Sequence, residues 1–207
     1  IAEAKLMAIT SLDLAIAGEC PVGMFSKAVT GTVVAGRPFS PFYLAGVPGA
    51  AVAPTPGLAG AALTSYAGQI PVPAASGNTH LSYLQMTSSA QAGGVMLADR
   101  LWHNSGFTIT VTTAQTVNSV AWPARDKNGA TLGDGVYLGV EVSTATGAGA
   151  PTITVSYTNS AGVAGRTATN SVATVATSAA GTFYPIGLAA GDTGVRSVQT
   201  LTLSATW

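Results

Sequence analysis

The chain has 207 residues, 47% of them hydrophobic and only 8% charged, and its eight basic and eight acidic side chains cancel. Ordinary soluble domains carry about 25% charged residues, so this surface is solvated by Thr, Ser, Asn and Gly or covered by other subunits. The Lys and Arg residues stand singly, which excludes nucleic acid as an expected partner, and no run of eighteen apolar residues is uninterrupted, so no membrane span is expected.

The lone Cys20 excludes an intrachain disulfide framework and is compatible with folding in a reducing cytoplasm. Met7 opens MAITSLDLAIAGE, which reads as a translation start with Ile1 to Leu6 upstream of it, and no signal peptide is read there. Ser11 is placed to cap a short helix through Ala17, with Asp13 in its first turn, Gly18 as its stop, and Leu12, Ala15 and Ile16 on one face. A helix this short needs a surface to pack on, so it is read as an anchor or as a lid on the β domain. From Val29 to Pro73 the chain is rich in Gly, Ala and Pro. Short strands are expected at Val29–Val34 and Phe39–Leu44, but seven prolines between Pro38 and Pro73 interrupt any ladder. The stretch is therefore expected to be an extended arm lying over a neighbouring subunit, or else a linker.

Strands are then expected at Thr79–Thr87 and Gly93–Leu101. The cleanest alternation follows: Phe107, Ile109 and Val111 against Thr108, Thr110 and Thr112, the pattern of a half-buried strand. Val117–Trp122 continues the sheet until Pro123. DKNG at Asp126–Gly129 and LGDG at Leu132–Gly135 are turn signals. Val136, Leu138, Val140 and Val142 alternate against Tyr137, Gly139 and Glu141. A loop at Thr144–Ala150 leads to a strand at Thr152–Tyr157, a turn at Asn159–Gly165, and strands at Arg166–Val175 and Thr182–Leu188. A tight turn at Gly191–Gly194 precedes the last strand, which places Leu201, Leu203, Ala205 and Trp207 on one face. About eight to ten short strands with turn punctuation predict an all-β, antiparallel sandwich. A jelly roll of two four-stranded sheets is the preferred form, with residues 1–75 as helix and arm and residues 76–207 as the β domain.

Candidate sites are few. Asp99 and His103, with Ser105 nearby, have the residue types of a metal site or an activated nucleophile, but no third group stands at a matching spacing. The structural alternative is Trp102 in the core, with Asp99, Arg100 and His103 at strand ends or a subunit boundary. Asp192-Thr193-Gly194 spells an aspartic-protease loop without the second loop that such chemistry needs, and reads as a hairpin turn. Asp134 between glycines has only Asp126 near it, too few carboxylates for calcium, and reads as a turn. Trp102, Trp122 and Tyr137 are aromatics of the kind that bind sugars, although at strand positions they more often belong to a core. No catalytic residue, metal or cofactor is expected, and the chain is not read as an enzyme.

In DRLWHNSG (Asp99–Gly106), TTAQTVNSVAWPARD (Thr112–Asp126), GDGVYLGVEVSTATGAG (Gly133–Gly149) and AGDTGVRSVQ (Ala190–Gln199), the chain resembles a family of tailed-bacteriophage virion structural proteins. The resemblance runs from about Met7 to Trp207 and is most specific from Asp99 onward. It carries no catalytic residues, and it implies a role on the capsid surface of the virion, assembled in the host cytoplasm. The expectation is a capsid decoration or cement protein, a homotrimer bound to the major capsid protein. Its interface residues are expected at Leu12, Ile16, Phe39, Phe42, Tyr43, Trp102 and His103. The alternatives are a neck or tail protein, or a receptor- or glycan-binding head-fibre module.

Overall fold

The structure is a computed structural model that describes residues 11, 24–27, 33–70, 72, 83–87 and 94–207. Contacts divide the chain into two compact units, Ile1–Phe25 with Ile70–Asp99, and Ser26–Gln69 with Arg100–Trp207. In the first unit, residues 83–87 and 94–99 form neither helix nor strand. The expected helix (Ser11 apart), with Leu12 and Ile16, falls outside the described residues, as do Cys20 and most of the expected Val29–Val34 strand.

The second unit is antiparallel β-structure, and no α-helix occurs among the described residues. Its strands are β1 (Ala61–Ala62), β2 (Trp102–His103), β3 (Gln115–Thr116), β4 (Gly139–Glu141), β5 (Ile153–Asn159), β6 (Arg166–Asn170), β7 (Phe183–Gly187) and β8 (Val195–Leu203). They pair as a two-stranded ladder, β1-β2, and a six-stranded sheet in the order β3-β8-β5-β6-β7-β4. The pairing is six plus two, where a jelly roll has four plus four. Within the sheet, β5, β6 and β7 are consecutive antiparallel neighbours and β8 returns to lie beside β5, which is the Greek-key order.

Alternation explains why β5 sits at the centre. Ile153, Val155, Tyr157 and Asn159 face inward, with Thr154, Ser156 and Thr158 between them, so one face of the strand is apolar. β8 departs from strict period two. Gln199 and Arg196 are each an extra residue opposite β5, at the register shifts beside Ser156/Tyr157 and Thr158/Asn159. These bulges let Val195, Val198, Leu201 and Leu203 all turn inward at spacings of three, three and two. The core adds Trp122, Val142, Tyr184 and Trp207 to these residues. Its polar atoms are satisfied: the Trp122 indole N–H donates to the Val195 carbonyl at 2.6 Å, and the Tyr184 hydroxyl accepts from the Val175 N–H and meets Ser178 Oγ at 2.6 Å.

The sheet curls until its β4 end meets the start of β8. Residues 134–136, leading into β4, bond to the chain entering β8: Gly135 N–H donates to the Thr193 carbonyl at 2.9 Å and Val195 N–H to the Val136 carbonyl at 3.0 Å, around an Asp134–Gly194 bridge. Glycine makes this seam possible. Gly133 has φ +82°, and a Cβ there would strike the Val195 carbonyl; a Cβ on Gly194 would strike the Gly133 carbonyl. The Gly191–Gly194 stretch is therefore not a hairpin turn, because β7 and β8 are not neighbours. It is the Greek-key crossover, locally tightened by Asp192 N–H donating to the Ala189 carbonyl.

Three local expectations are corrected. Residues 107–112 are a turn instead of a strand, closed by Val111 N–H to the Thr108 carbonyl at 3.1 Å. The Gln115 side-chain amide pairs with both the N–H and the C=O of Thr108, taking the place of a partner strand. Phe39–Leu44 is an isolated bridge from Phe39 to Thr182 followed by a 3-10 turn, Pro41–Tyr43. Pro41 fixes the first helical φ and Ser40 Oγ caps the Phe42 N–H, so local chemistry overrides the strand pattern. Part of the proline-rich stretch also packs on its own chain, through Ser40 N–H to Gly181 O, Phe183 N–H to Pro38 O and Leu63 N–H to Leu101 O.

Gly194→Ala should introduce about 1–3 kcal/mol of overpacking at the seam, a fall of roughly 2–10 °C in Tm. Gly49→Ala, where a Cβ meets open space, should leave the melting curve unchanged. Differential scanning fluorimetry of both variants reads the difference.

Candidate functional site

Among the described residues, two clusters bring charged and aromatic groups together. The first is an aromatic and ionic clamp between the proline-rich segment and β4. Arg100 pairs with Glu141, a carboxylate only 7% exposed, and its guanidinium lies 4.1 Å over the Phe42 ring. Phe42 stacks on Tyr66 at 5.7 Å and meets Tyr43 edge-on at 5.3 Å, while Tyr66 meets the His103 ring edge-on at 4.5 Å. Burial, together with the nearby Glu141 charge, pushes the Tyr43 hydroxyl up from its ordinary range. Burial, and then the Arg100 charge, holds the His103 imidazole below its ordinary value, so it is neutral at neutral pH. Its Nδ1 and Glu141 Oε1 are buried without a hydrogen-bond partner.

The expected interface residues fall partly here. Phe42, Tyr43 and His103 come together in the clamp. Trp102 packs 5.4 Å from Trp122 and donates its indole N–H to the Ala59 carbonyl at 3.0 Å. Phe39 packs beside Gly181, where a Cβ would strike its ring. All five are half-buried by their own chain. The nucleophile scheme at Ser105 does not form, because Ser105 Oγ donates to the Pro54 carbonyl at 2.6 Å. With Asn104 Nδ2 on Leu58 O and Arg125 Nη2 on Leu63 O, it sews residues 54–63 down. Among the described residues, no three His, Cys, Asp or Glu side chains are grouped to hold a metal.

The second cluster lies at the seam, where the two motifs that imitate ion and protease loops face each other. Asp126, 7% exposed, accepts four backbone N–H groups: Asn128 and Ala130 on Oδ1, Gly133 and Asp134 on Oδ2, at 2.7–3.3 Å. The Ala130 N–H leads the set that holds its carboxyl below the usual range. With its oxygens engaged this way, Asp126 brackets both turns and is not presented to a calcium ion. Asp192 does the same for the crossover. Its Oδ2 accepts from the Tyr157 hydroxyl and from Arg166 Nε at 2.9 Å, and its Oδ1 from Asn159 Nδ2 at 2.7 Å. The Tyr157 hydroxyl, then Arg166 and Asn159, lower its pKa to about 2.

Beside these anchors is an open cleft of about 740 Å³ lined by Lys127, Asp134, Gly135, Tyr137, Asp192 and Thr193. Tyr137 is 74% exposed, whereas Trp122 is 2% exposed, so the three aromatics weighed for sugar binding do not form one platform. The seam and both clusters join residues distant in sequence: Arg100 and Glu141 are 41 positions apart, and Tyr157 and Asp192 are 35. No spacing motif signals such pairs. Tyr137, by contrast, is the outward member of a clean alternation. No family model matches the chain, and neither curated proteins nor solved structures give a match.

The lowered pKa makes Asp192 a source of acid sensitivity. Its stabilisation is complete above the unfolded-state value near 4 and is lost as pH falls through about 2. Urea unfolding should give a plateau down to about pH 4 and a decline from there to pH 2. Asp126 acts in the same direction. Asp192→Asn should be less stable at pH 7 and lose less on acidification; equal acid slopes in the two proteins would contradict the assignment.

Proposed function

We propose that the chain is a structural subunit of a tailed-bacteriophage virion, a capsid-decorating protein that stabilises the head through contacts with the major capsid protein and with copies of itself. The observation that carries this reading is the exposure of apolar side chains in two described segments, residues 83–87 and 94–99. Val95, Met96 and Leu97 are consecutive and 49%, 78% and 54% exposed, and Tyr83, Leu84 and Met86 are 72%, 39% and 42% exposed. Apolar side chains exposed on consecutive residues are costly in water and are stabilised when a partner covers them. The chain's 8% charge provides little else to keep such a surface soluble, and the resemblance of Asp99–Gly106 and the segments after it to virion proteins points the same way.

In this reading, burial of the exposed segments against a neighbour supplies about 25 cal/mol per Å² of apolar area. The curled β unit is the rigid body that such contacts add to the shell. Because Phe42, Tyr43 and Trp102 are half-covered by their own chain, the Ile1–Phe25 and Ile70–Asp99 unit is the segment assigned to grip the partner.

Purified particles should hold the chain in high copy number, and particles assembled without it should lose resistance to heat and osmotic shock. Met96→Asp should reduce incorporation about tenfold, the effect of some 1.4 kcal/mol, while the melting of the β unit stays unchanged. A chain that remains monomeric and never co-purifies with particles would end this reading.

A further inference from the structure

We propose that the cleft beside the seam binds a neutral saccharide, with the Tyr137 ring as its stacking platform. The proposal stands apart from the virion reading and rests on different residues.

Tyr137 is placed outward by the fold. Val136 and Leu138 pack against the core on either side of it, and Tyr137 remains 74% exposed. An aromatic face open to water, with a hydroxyl at its edge, is suited to a ligand that is apolar on one side and polar at its rim. A pyranose has this form, with C–H groups on its face and hydroxyls around it.

The lining selects among ligand classes. Lys127, Asp134, Gly135, Tyr137, Asp192 and Thr193 include no aliphatic side chain, so the cleft has no pocket for the hydrophobic anchor of a peptide or a lipid. Its charges are balanced. Lys127 Nζ stands 3.9 Å from Asp134 Oδ2, and Asp192 is already engaged by Tyr157, Arg166 and Asn159. One cation beside one available carboxylate attracts neither an anion nor a cation strongly, but it offers a donor and an acceptor to hydroxyl groups. Thr193 Oγ1, paired with Ser160 Oγ at 3.0 Å, adds a hydroxyl that can turn either way.

The lining is also held in place before any ligand arrives. Asp126 brackets the loop that carries Lys127 and Asp134, Asn128 Nδ2 donates to Asp134 Oδ2 at 3.0 Å, and the seam fixes Gly135 against Thr193. At Gly135 a Cβ would press on the Lys127 stem, so glycine lets that stem lie against the backbone. Preorganisation of this kind lowers the ordering cost that otherwise weakens small-ligand binding.

The test is saturation-transfer NMR on the full chain. The probes are glucose, galactose, N-acetylglucosamine and their α- and β-linked oligomers of up to about four units, with sialyllactose and a heparin disaccharide as charged comparators. At least one neutral sugar should receive saturation on its ring C–H protons, with a Kd on the order of 1 mM or tighter. Tyr137→Ala should abolish the signal, Tyr137→Trp should retain or strengthen it, and Asp134→Asn should weaken binding about tenfold. The Tyr137 variants should melt like the parent, since the ring is exposed. Absence of signal from every neutral sugar, a signal that survives Tyr137→Ala, or a preference for the charged sugars would each overturn the proposal.

Discussion

The β unit depends on one constraint: two backbone segments must approach closely enough to hydrogen-bond where the curled sheet meets itself. Gly133 and Gly194 remove the Cβ atoms that would keep the segments apart. Two carboxylates then hold the segments from either side. Asp126 gathers four amides from the loop before β4, and Asp192 fastens the crossover to Tyr157, Asn159 and Arg166. Hydrogen bonds to a charged acceptor are among the stronger ones available. Here they replace the ladder bonds that an interrupted sheet edge cannot make. The core residues Val195 and Trp122 lie directly beneath, joined by the indole N–H, so the polar seam and the apolar interior are one mechanical unit.

The clamp around Arg100 works by a different balance. A guanidinium held between the Phe42 face and the Glu141 carboxylate is partly withdrawn from water, which strengthens both contacts and raises the cost of breaking either. Phe42 belongs to a 3-10 turn and Glu141 to a strand of the main sheet. The clamp therefore fixes a proline-rich segment that has few ladder bonds of its own. This segment looks like an arm laid over a neighbouring subunit, or a linker, when only its prolines and glycines are considered. It becomes ordered because Ser105, Asn104, Trp102 and Arg125 provide donors for its carbonyls.

What could be seen in the sequence was whatever is decided locally. The alternation through Ile153, Val155 and Tyr157 marks β5, the DKNG turn at Asp126 is present, and Tyr137 faces outward as its neighbours require. The all-β, antiparallel class follows from many such short patterns. The clearest alternation of all, Phe107 to Thr112, failed because a single glutamine side chain can occupy both hydrogen-bonding groups of Thr108 and turn the chain. The inward placement of Val195 and Val198 was hidden because two bulges break the period of β8. The Asp192 and Arg100 clusters were beyond reach for another reason: they join residues 26 to 41 positions apart, and pattern reading has no access to such pairs.

The Greek-key order has a consequence for how the protein comes into being. β8 is the strand that separates β3 from β5, yet of the six strands in the sheet it is the last in chain order. While a ribosome is still reading Val195–Leu203, the inner faces of Val155 and Tyr157 lack one neighbour and β3 has no partner in the sheet at all. Contacts this remote in sequence form slowly, because the loop must close before any pairing repays it. The nascent chain therefore passes through a stage with an open, apolar, hydrogen-bonding edge, the condition under which newly made copies meet one another most readily.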